Sequence, residues 1–485
     1  MTERLDRALF SGMAWTAVMR WSSQVVSWIA TFYVARILQP ADYGIAALAT
    51  VAIGYARMVE DFGLDSIFVQ DRSIKGESLA RLAGLLLLLG VFFVVLFQII
   101  ARPVATFFKE PQVAWAISFL SILFVSDAIQ IIPRAMLQRD LAFGKLAVVA
   151  FLQVFVTQTV LVLAARAGLG FKSLVLNSLA GGLTATALLL YWRPLKVMWP
   201  NEIARLTRPL LQGWRMLAAR MGYYCYTTAD QLVIGRVLGK EAVGVYSFAQ
   251  TLSTTAIQEV GSVVSKVVPG IFSAAQEQRN ELRRYFLLLT ELIVLLTLPM
   301  SVGLALTADM VVSLVLGPNW NAVVLPLRVL CFYTAFSNAQ LLVSHVMLWT
   351  GQFRAQMWCT LPTVIMLPPA FYLGAKYGVY GVALGWAVVF PLSTLPAMVI
   401  GFRTISISAV EWFRAMLPAA VGCIVMSVAV LGVRVLAPAI ASPARLCVIS
   451  VAAGAAAYGA TIWLLFRSRL KVLLNLLGGP RFKPA

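Results

Sequence analysis

Apolar residues run along this chain in long stretches, separated by short polar segments. A helix crossing a bilayer core about 30 Å thick needs roughly 20 apolar residues. Fourteen stretches of that kind can be read: 10–35, 43–64, 79–101, 112–133, 145–165, 172–192, 213–235, 243–265, 285–308, 322–346, 355–375, 378–402, 413–434 and 445–466. Several contain Pro or Gly, which membrane helices tolerate. Trp and Tyr recur near their ends, as interfacial anchors do. The pattern predicts an all-α polytopic membrane protein.

Composition agrees. Of 485 residues, 60% are hydrophobic and 12% charged, whereas soluble domains are about half apolar and about a quarter charged. The formal charge of +19 would suggest nucleic acid on a soluble protein. Here most cations fall in short loops, the mark of topology control, and no nucleic-acid partner is expected. With the N-terminus inside, cytoplasmic segments carry 25 Lys and Arg and outer loops 10. That bias predicts cytoplasmic N- and C-termini and an even number of spans. The start "MTERLDRALF" is polar and leads into a span too long for a signal-peptide core, so no cleavable signal is expected. Cys225, Cys331, Cys359, Cys423 and Cys447 lie in or beside apolar segments without a CxxC pair, and His345 is the only histidine. They read as buried thiols and leave no metal site.

An internal repeat underlies the pattern. "ARILQPADYGIAALA" (35–49) aligns with "GRVLGKEAVGVYSFA" (235–249), matching Arg36 with Arg236, Leu38 with Leu238, Gly44 with Gly244 and Ala49 with Ala249. The shift of 200 also places Arg20 on Arg220. Further on it grows to about 210, bringing Phe143 of "LQRDLAFGK" onto Phe353 of "TGQFRA". Six-span units of this kind are parallel repeats, which place a site between them near mid-membrane. The expected organisation is an N-terminal lobe (1–198), a C-terminal lobe (199–405), two added spans (406–466) and a basic tail (467–485). The basic link 192–215 is expected to form a helix on the membrane surface, letting two rigid halves rock. The tail is expected to be attracted to anionic headgroups, a reading that needs no specific partner.

At this point the residues resemble a known family. "SGMAWTAVMRWSSQ", "VARILQPADYGIAALA", "EDFGLDSIFVQ" and "LQRDLAFGK" are similar to the polysaccharide transporter (Wzx-like) family of the multidrug/oligosaccharidyl-lipid/polysaccharide exporter superfamily. The resemblance covers essentially the whole chain in a 6 + 6 + 2 arrangement. It implies a bacterial inner-membrane flippase for undecaprenyl-diphosphate-linked oligosaccharides, feeding O-antigen or exopolysaccharide synthesis by alternating access around a central cavity. Its implied partners are the lipid-linked oligosaccharide, membrane lipids, a polysaccharide polymerase and other export proteins. No cofactor is implied beyond proton or sodium coupling, and translocation involves no covalent reaction.

Four arginines, Arg20, Arg57, Arg220 and Arg328, stand inside spans. A charge at the bilayer centre costs from about 2.5 to well over 10 kcal/mol, so each needs a partner or a hydrated cavity. Arg20 and Arg220 are the candidates for holding a lipid diphosphate, because guanidinium forks match phosphate oxygens. Snorkelling or pairing with acids is the other reading. Arg57 has Glu60 at i+3 and Asp61 at i+4, which suggests a local ion pair, and it is kept as a further candidate for the diphosphate. Glu60 and Glu259 occupy nearly equivalent places in the two halves and are candidate coupling acids; Asp127, Asp230 and Glu291 are equally open to structural pairing. Lys266 is expected to snorkel. "MGYYCYTTADQ" (221–231) packs Tyr223, Tyr224, Tyr226 and Gln231 into a span, and "WSSQ" offers Gln24 as the first-half counterpart. Sugar contact and interhelical hydrogen bonding remain equally open for these.

No nucleophile–base–acid set, Walker motif or glycine-rich phosphate loop is visible. The alternatives are a drug/cation antiporter of the same superfamily, a membrane glycosyltransferase or polymerase, which would need a large extramembrane loop, and a non-transporting membrane protein.

Overall fold

The computed structural model describes residues 19, 21–61, 76–199, 207–275, 278–436, 442–467 and 469; for residues 61, 207–220, 256, 258–267, 269–271, 273–275 and 353 it describes the backbone only. Among the described residues all regular structure is helical. This is what lipid demands of an open-ended chain, since only a helix satisfies its backbone polar groups within one segment. Fourteen helices follow in order: α1 (21–35), α2 (Pro40–Asp61), α3 (Glu77–Phe108), α4 (Pro111–Arg139), α5 (Phe143–Arg166), α6 (Phe171–Trp192), α7 (Thr207–Val237) and α8 (Lys240–Ala275). The second series is α9 (Arg279–Leu316), α10 (Pro318–Trp349), α11 (Phe353–Ala375), α12 (Gly378–Thr404), α13 (Ala409–Leu436) and α14 (Pro443–Leu465). Ten of the described helices are long and apolar enough to cross a membrane on length and composition alone. Several run well past the apolar stretch that announces them. α4 is jointed at Ser121–Ile122, and single π-turns interrupt α9 at Val312–Leu316 and α12 at Gly385–Val389.

Packing divides the chain into two compact units, Met1–Gly244 and Val245–Ala485. In the first, Leu82 and Leu86 of α3 meet Ala128 and Ile131 of α4. Val34 and Leu38, from the end of α1 and the turn after it, meet Leu161 and Ala165 of α5. Leu137, Val149 and Leu189 join α4, α5 and α6. In the second, Phe286, Ile293 and Val294 of α9 pack with Val343 of α10, Phe402 of α12 and Trp412 of α13.

The repeat reappears in backbone detail. Before α5, Asp140 N–H bonds to Met136 O (2.9 Å), Leu141 N–H to Gln138 O (3.0 Å) and Ala142 N–H to Leu137 O (2.9 Å). Before α11 the same set recurs 210 residues later: Thr350 to Val346 (3.0 Å), Gly351 to Leu348 (3.2 Å) and Gln352 to Met347 (2.9 Å). The pivotal residue is left-handed in both, Leu141 at φ 53° and Gly351 at φ 76°. Only the second copy uses the residue for which that conformation is unstrained.

The first turns of α2 and α8 cross with their backbones in contact. A Cβ on Gly44 would stand 1.7 Å from the carbonyl oxygen of Lys240, and one on Gly244 would stand 1.7 Å from that of Pro40. The shift of 200 exchanges the two contacts, so the crossing maps onto itself under the repeat as about a twofold axis. A bridge from Lys240 Nζ to Glu110 Oε2 (2.9 Å) flanks it.

The link after α6 departs from expectation in its first part only. Residues 193–199 are not helical, whereas 207–215 form the first turns of α7. Arg193 precedes Pro194, whose ring disfavours helix in the residue before it, and it sits at φ −143°, ψ 85°. Arg193 pairs with Asp140, and Met198 donates its N–H to Ala80 O (2.9 Å), so the segment is a strap laid against α3. Residues 200–206 of the link lie outside the described residues.

Candidate functional site

The unusually polar stretch of α7 meets α2 well inside the span. Thr228 stands nine residues, about 14 Å, from the Val237 end of its helix at about 1.5 Å per residue. Gly54 creates the room: a Cβ there would fall 1.8 Å from the Tyr224 hydroxyl. With no side chain in the way, the Tyr224 ring lies on α2 and its hydroxyl donates to Val51 O (3.4 Å). Tyr55, next along α2, presents its ring edge to Tyr224, with centroids 4.7 Å apart at 86°. The Tyr55 and Thr228 hydroxyls are 3.0 Å apart. Thr228 gives its single proton to Tyr224 O (2.7 Å), so Tyr55 is the donor in that pair.

Around this seam stand the acids. Asp230 is fully buried and accepts the Gln231 N–H on Oδ1 (2.7 Å). Glu60 is buried one turn beyond Tyr55. Arg57 reaches across to α4, its Nε 3.1 Å from Asp127 Oδ2. The sequence suggested a pair within α2; the structure adds a cross-helix partner for Arg57, one that helical spacing does not reveal. Both side chains of this pair retain a third or more of their exposure, so it is partly solvated or lipid-facing rather than sealed.

The remaining candidates separate. Tyr226 is buried and packs edge-on with the exposed Tyr223, their ring centroids 5.3 Å apart. Gln24 on α1 and Gln231 on α7 are half-buried. Arg20 lies outside the described residues, as do the side chains of Arg220, Glu259 and Lys266. In the second unit Arg328 is held by Asp309 (3.1 Å) and Glu291 by Arg469 (3.5 Å). The latter gives Arg469, at the start of the tail, a partner inside the protein. Among the described residues no group of three or more His, Cys, Asp or Glu is placed to hold a metal ion. Tyr55 escaped the sequence reading. Its signal was the pair "GY" at 54–55, a small residue beside an aromatic one, inside a span already suspected of pairing.

Comparison with known proteins agrees with this architecture. The sequence profile of a family described as "Polysaccharide biosynthesis protein" matches residues 33–325. The lipopolysaccharide biosynthesis protein WzxC of Escherichia coli K12 is 23% identical over 403 residues, 81% of this chain and 80% of that protein. The succinoglycan biosynthesis transport protein ExoT of Rhizobium meliloti is 24% identical over 317 residues, 64% of this chain and 62% of that one. Among solved structures, the lipid II flippase MurJ in an inward closed conformation superimposes with a TM-score of 0.76 at 12% identity, covering 94% of this chain and 99% of that one. The fold is that of a multi-pass helical transporter.

Proposed function

Because the chain belongs to the polysaccharide biosynthesis protein family, we propose that it carries a lipid-linked oligosaccharide across the bacterial inner membrane for assembly of a surface polysaccharide such as O-antigen or exopolysaccharide. The lipid is undecaprenyl diphosphate, and passage is by alternating access. The observation that carries this reading is the α2–α7 seam. It sets tyrosine, threonine and carboxylate groups well inside membrane helices, where lipid contact alone would select none of them. Hydroxyl-bearing rings suit a glycan, since their tips hydrogen-bond to sugar hydroxyls and their faces take C–H groups.

Arg20 and Arg220 hold the diphosphate. Arg57, engaged by Asp127, keeps that carboxylate neutralised and serves as a second-rank anion contact. Glu60, Glu259 and Asp230 are the coupling groups for a proton or sodium gradient; consumption of the product outside is the other source of direction. Both termini face the cytoplasm, and a polymerase takes the product.

The test is a deletion strain complemented with variants. Loss of surface polymer with build-up of cytoplasm-facing lipid-linked oligosaccharide is expected for the deletion. The same is expected for Arg20→Glu combined with Arg220→Glu. Normal polymer in the deletion strain with altered drug sensitivity would instead identify a drug/cation antiporter. Normal polymer in the charge-reversed strain would remove the arginines from the mechanism.

A further inference from the structure

A second built site lies in the unit Val245–Ala485 and does not rest on the transport reading. Its depth follows from helix length. From Arg284 to Ala305, α9 rises about 32 Å, and from Arg414 to Arg434, α13 rises about 30 Å. Each matches a hydrocarbon core of about 30 Å. Both helices therefore put the level of Ala305, Asp309 and Arg434 at one headgroup boundary.

At that level two guanidiniums share one carboxylate. Arg434 donates to Leu306 O (2.8 Å), Asp309 Oδ1 (3.2 Å) and Asp309 Oδ2 (2.5 Å). Arg328 donates through Nε to Ala305 O (3.2 Å) and through Nη2 to Asp309 Oδ1 (3.1 Å). The cluster keeps one net positive charge, and the Arg328 side chain is 42% exposed. Such a residue offers its remaining N–H groups to an anion.

From Arg328 an apolar groove of about 330 Å³ runs into the membrane between α9, α10 and α13. Leu298, Val302, Phe332 and Ala335 line the half near Arg328, and Phe413 and Met416, close to the Arg414 level, line its far end. Phe332 and Phe413 are both 62% exposed, so the groove opens sideways. Its α9 wall from Val294 to Leu306 is about 18 Å long, enough for one chain reaching the bilayer midplane about 15 Å down.

Two buried polar atoms without a hydrogen-bond partner among the described residues interrupt this lining, Ser301 Oγ near Arg328 and Trp412 Nε1 at its far end. Ser301 is 1% exposed, and its Oγ has no hydrogen-bond partner among the described residues. Its neighbours behave otherwise: Thr297 donates to Ile293 O (2.8 Å) and Thr307 to Gly303 O (2.8 Å). A buried hydroxyl left unpaired is destabilising, because its lost hydration is not replaced. Ser301 lies one turn, about 6 Å, below the Ala305 carbonyl that anchors Arg328. An ester carbonyl follows the phosphate of a diacyl lipid at a comparable depth.

We propose that the groove binds one molecule of an anionic diacyl glycerophospholipid, its phosphate on Arg328, an ester carbonyl accepting from Ser301 Oγ and one acyl chain lying along α9. Charge complementarity selects the anionic headgroup, and the Ser301 hydroxyl selects an ester over a polyprenyl phosphate, which has no carbonyl to offer. The lipid seals a seam between three helices of one unit.

Native mass spectrometry of the purified full chain with three probes tests this: dioleoyl phosphatidylglycerol, dioleoyl phosphatidylcholine and diether phosphatidylglycerol. The wild type should retain phosphatidylglycerol over phosphatidylcholine by about tenfold, equivalent to about 1.4 kcal/mol, and diester over diether severalfold. Arg328→Gln should abolish the headgroup preference; Arg434 still holds Asp309 in that variant. Ser301→Ala should abolish only the ester preference. Ala335→Trp, which fills the groove and leaves the charged cluster intact, should lose phosphatidylglycerol retention and covers the case in which Arg328→Gln fails to fold. Equal retention of the two headgroups by the wild type would overturn the proposal, as would equal retention of diester and diether, or full retention by Ala335→Trp.

Discussion

Replacing Gly44 or Gly244 with alanine tests the crossing of α2 and α8 directly. A new Cβ at either position would sit 1.7 Å from a main-chain carbonyl oxygen, against 3.4–4 Å for ordinary contact. The helices must part by about 1.7 Å or more to admit it. The obstacle is backbone inside a helix, so no side-chain rotation relieves it. Overpacking typically costs about 1–3 kcal/mol, and an immovable neighbour puts this case near 3. The two contacts flank one crossing, so the separation forced by the first alanine makes room for the second. The double variant should therefore lose little more than the worse single, a marked departure from additivity. Thermal melting of purified protein gives the stabilities, and polymer export gives the functional cost. Gly432→Ala is the control, because nothing lies within 4 Å of its Cβ position; there alanine should be neutral or gain up to about 1 kcal/mol from helix propensity. If either single variant melts like the wild type, or the double loses the sum of the singles, the crossing is not a backbone contact and the reasoning fails.

Other outcomes follow from the seam and its flanking ion pair. Arg57→Ala or Asp127→Ala should cost about 1–2 kcal/mol, below the 3–5 of a sealed pair because both side chains stay partly exposed; the exchange Arg57→Asp with Asp127→Arg should recover most of it in the same melting assay. Gly54→Ala should displace Tyr224 and cut export. Adding Tyr224→Leu should restore the melting temperature without restoring export if the tyrosine hydroxyl works on substrate, and should restore both if its role is packing alone.

The helices and their number were legible because bilayer thickness imposes a length on every apolar run. The repeat was legible at Gly44 and Gly244, where backbone contact tolerates no other residue. It was fainter before α5, where Leu141 adopts the same left-handed turn that Gly351 adopts in the other copy. A glycine there would have announced the turn; the leucine hid it. Pairing across helices was not legible. Arg57 lies one turn from Glu60, and nothing in spacing points to Asp127 some 70 residues away. Likewise Asp309 sits close to the Val312–Leu316 π-turn, and its two arginines come from positions 328 and 434. Helical periodicity assigns a face, whereas partners are assigned by the order in which faces assemble. The strap at 193–199 differs from the expected surface helix because one local signal, the Arg193–Pro194 bond, overrides the basic pattern of the link.

The mutual contact of Gly44 and Gly244 has the form of an isologous interface, in which a patch meets its own copy. In a half-length chain paired with a twin, one codon would supply both glycines, and any change would strike both sides of the axis together. Joining the halves in tandem splits that codon into two. Each side can then drift alone, and a transporter for an asymmetric cargo becomes reachable by single substitutions that a symmetric pair could never sample.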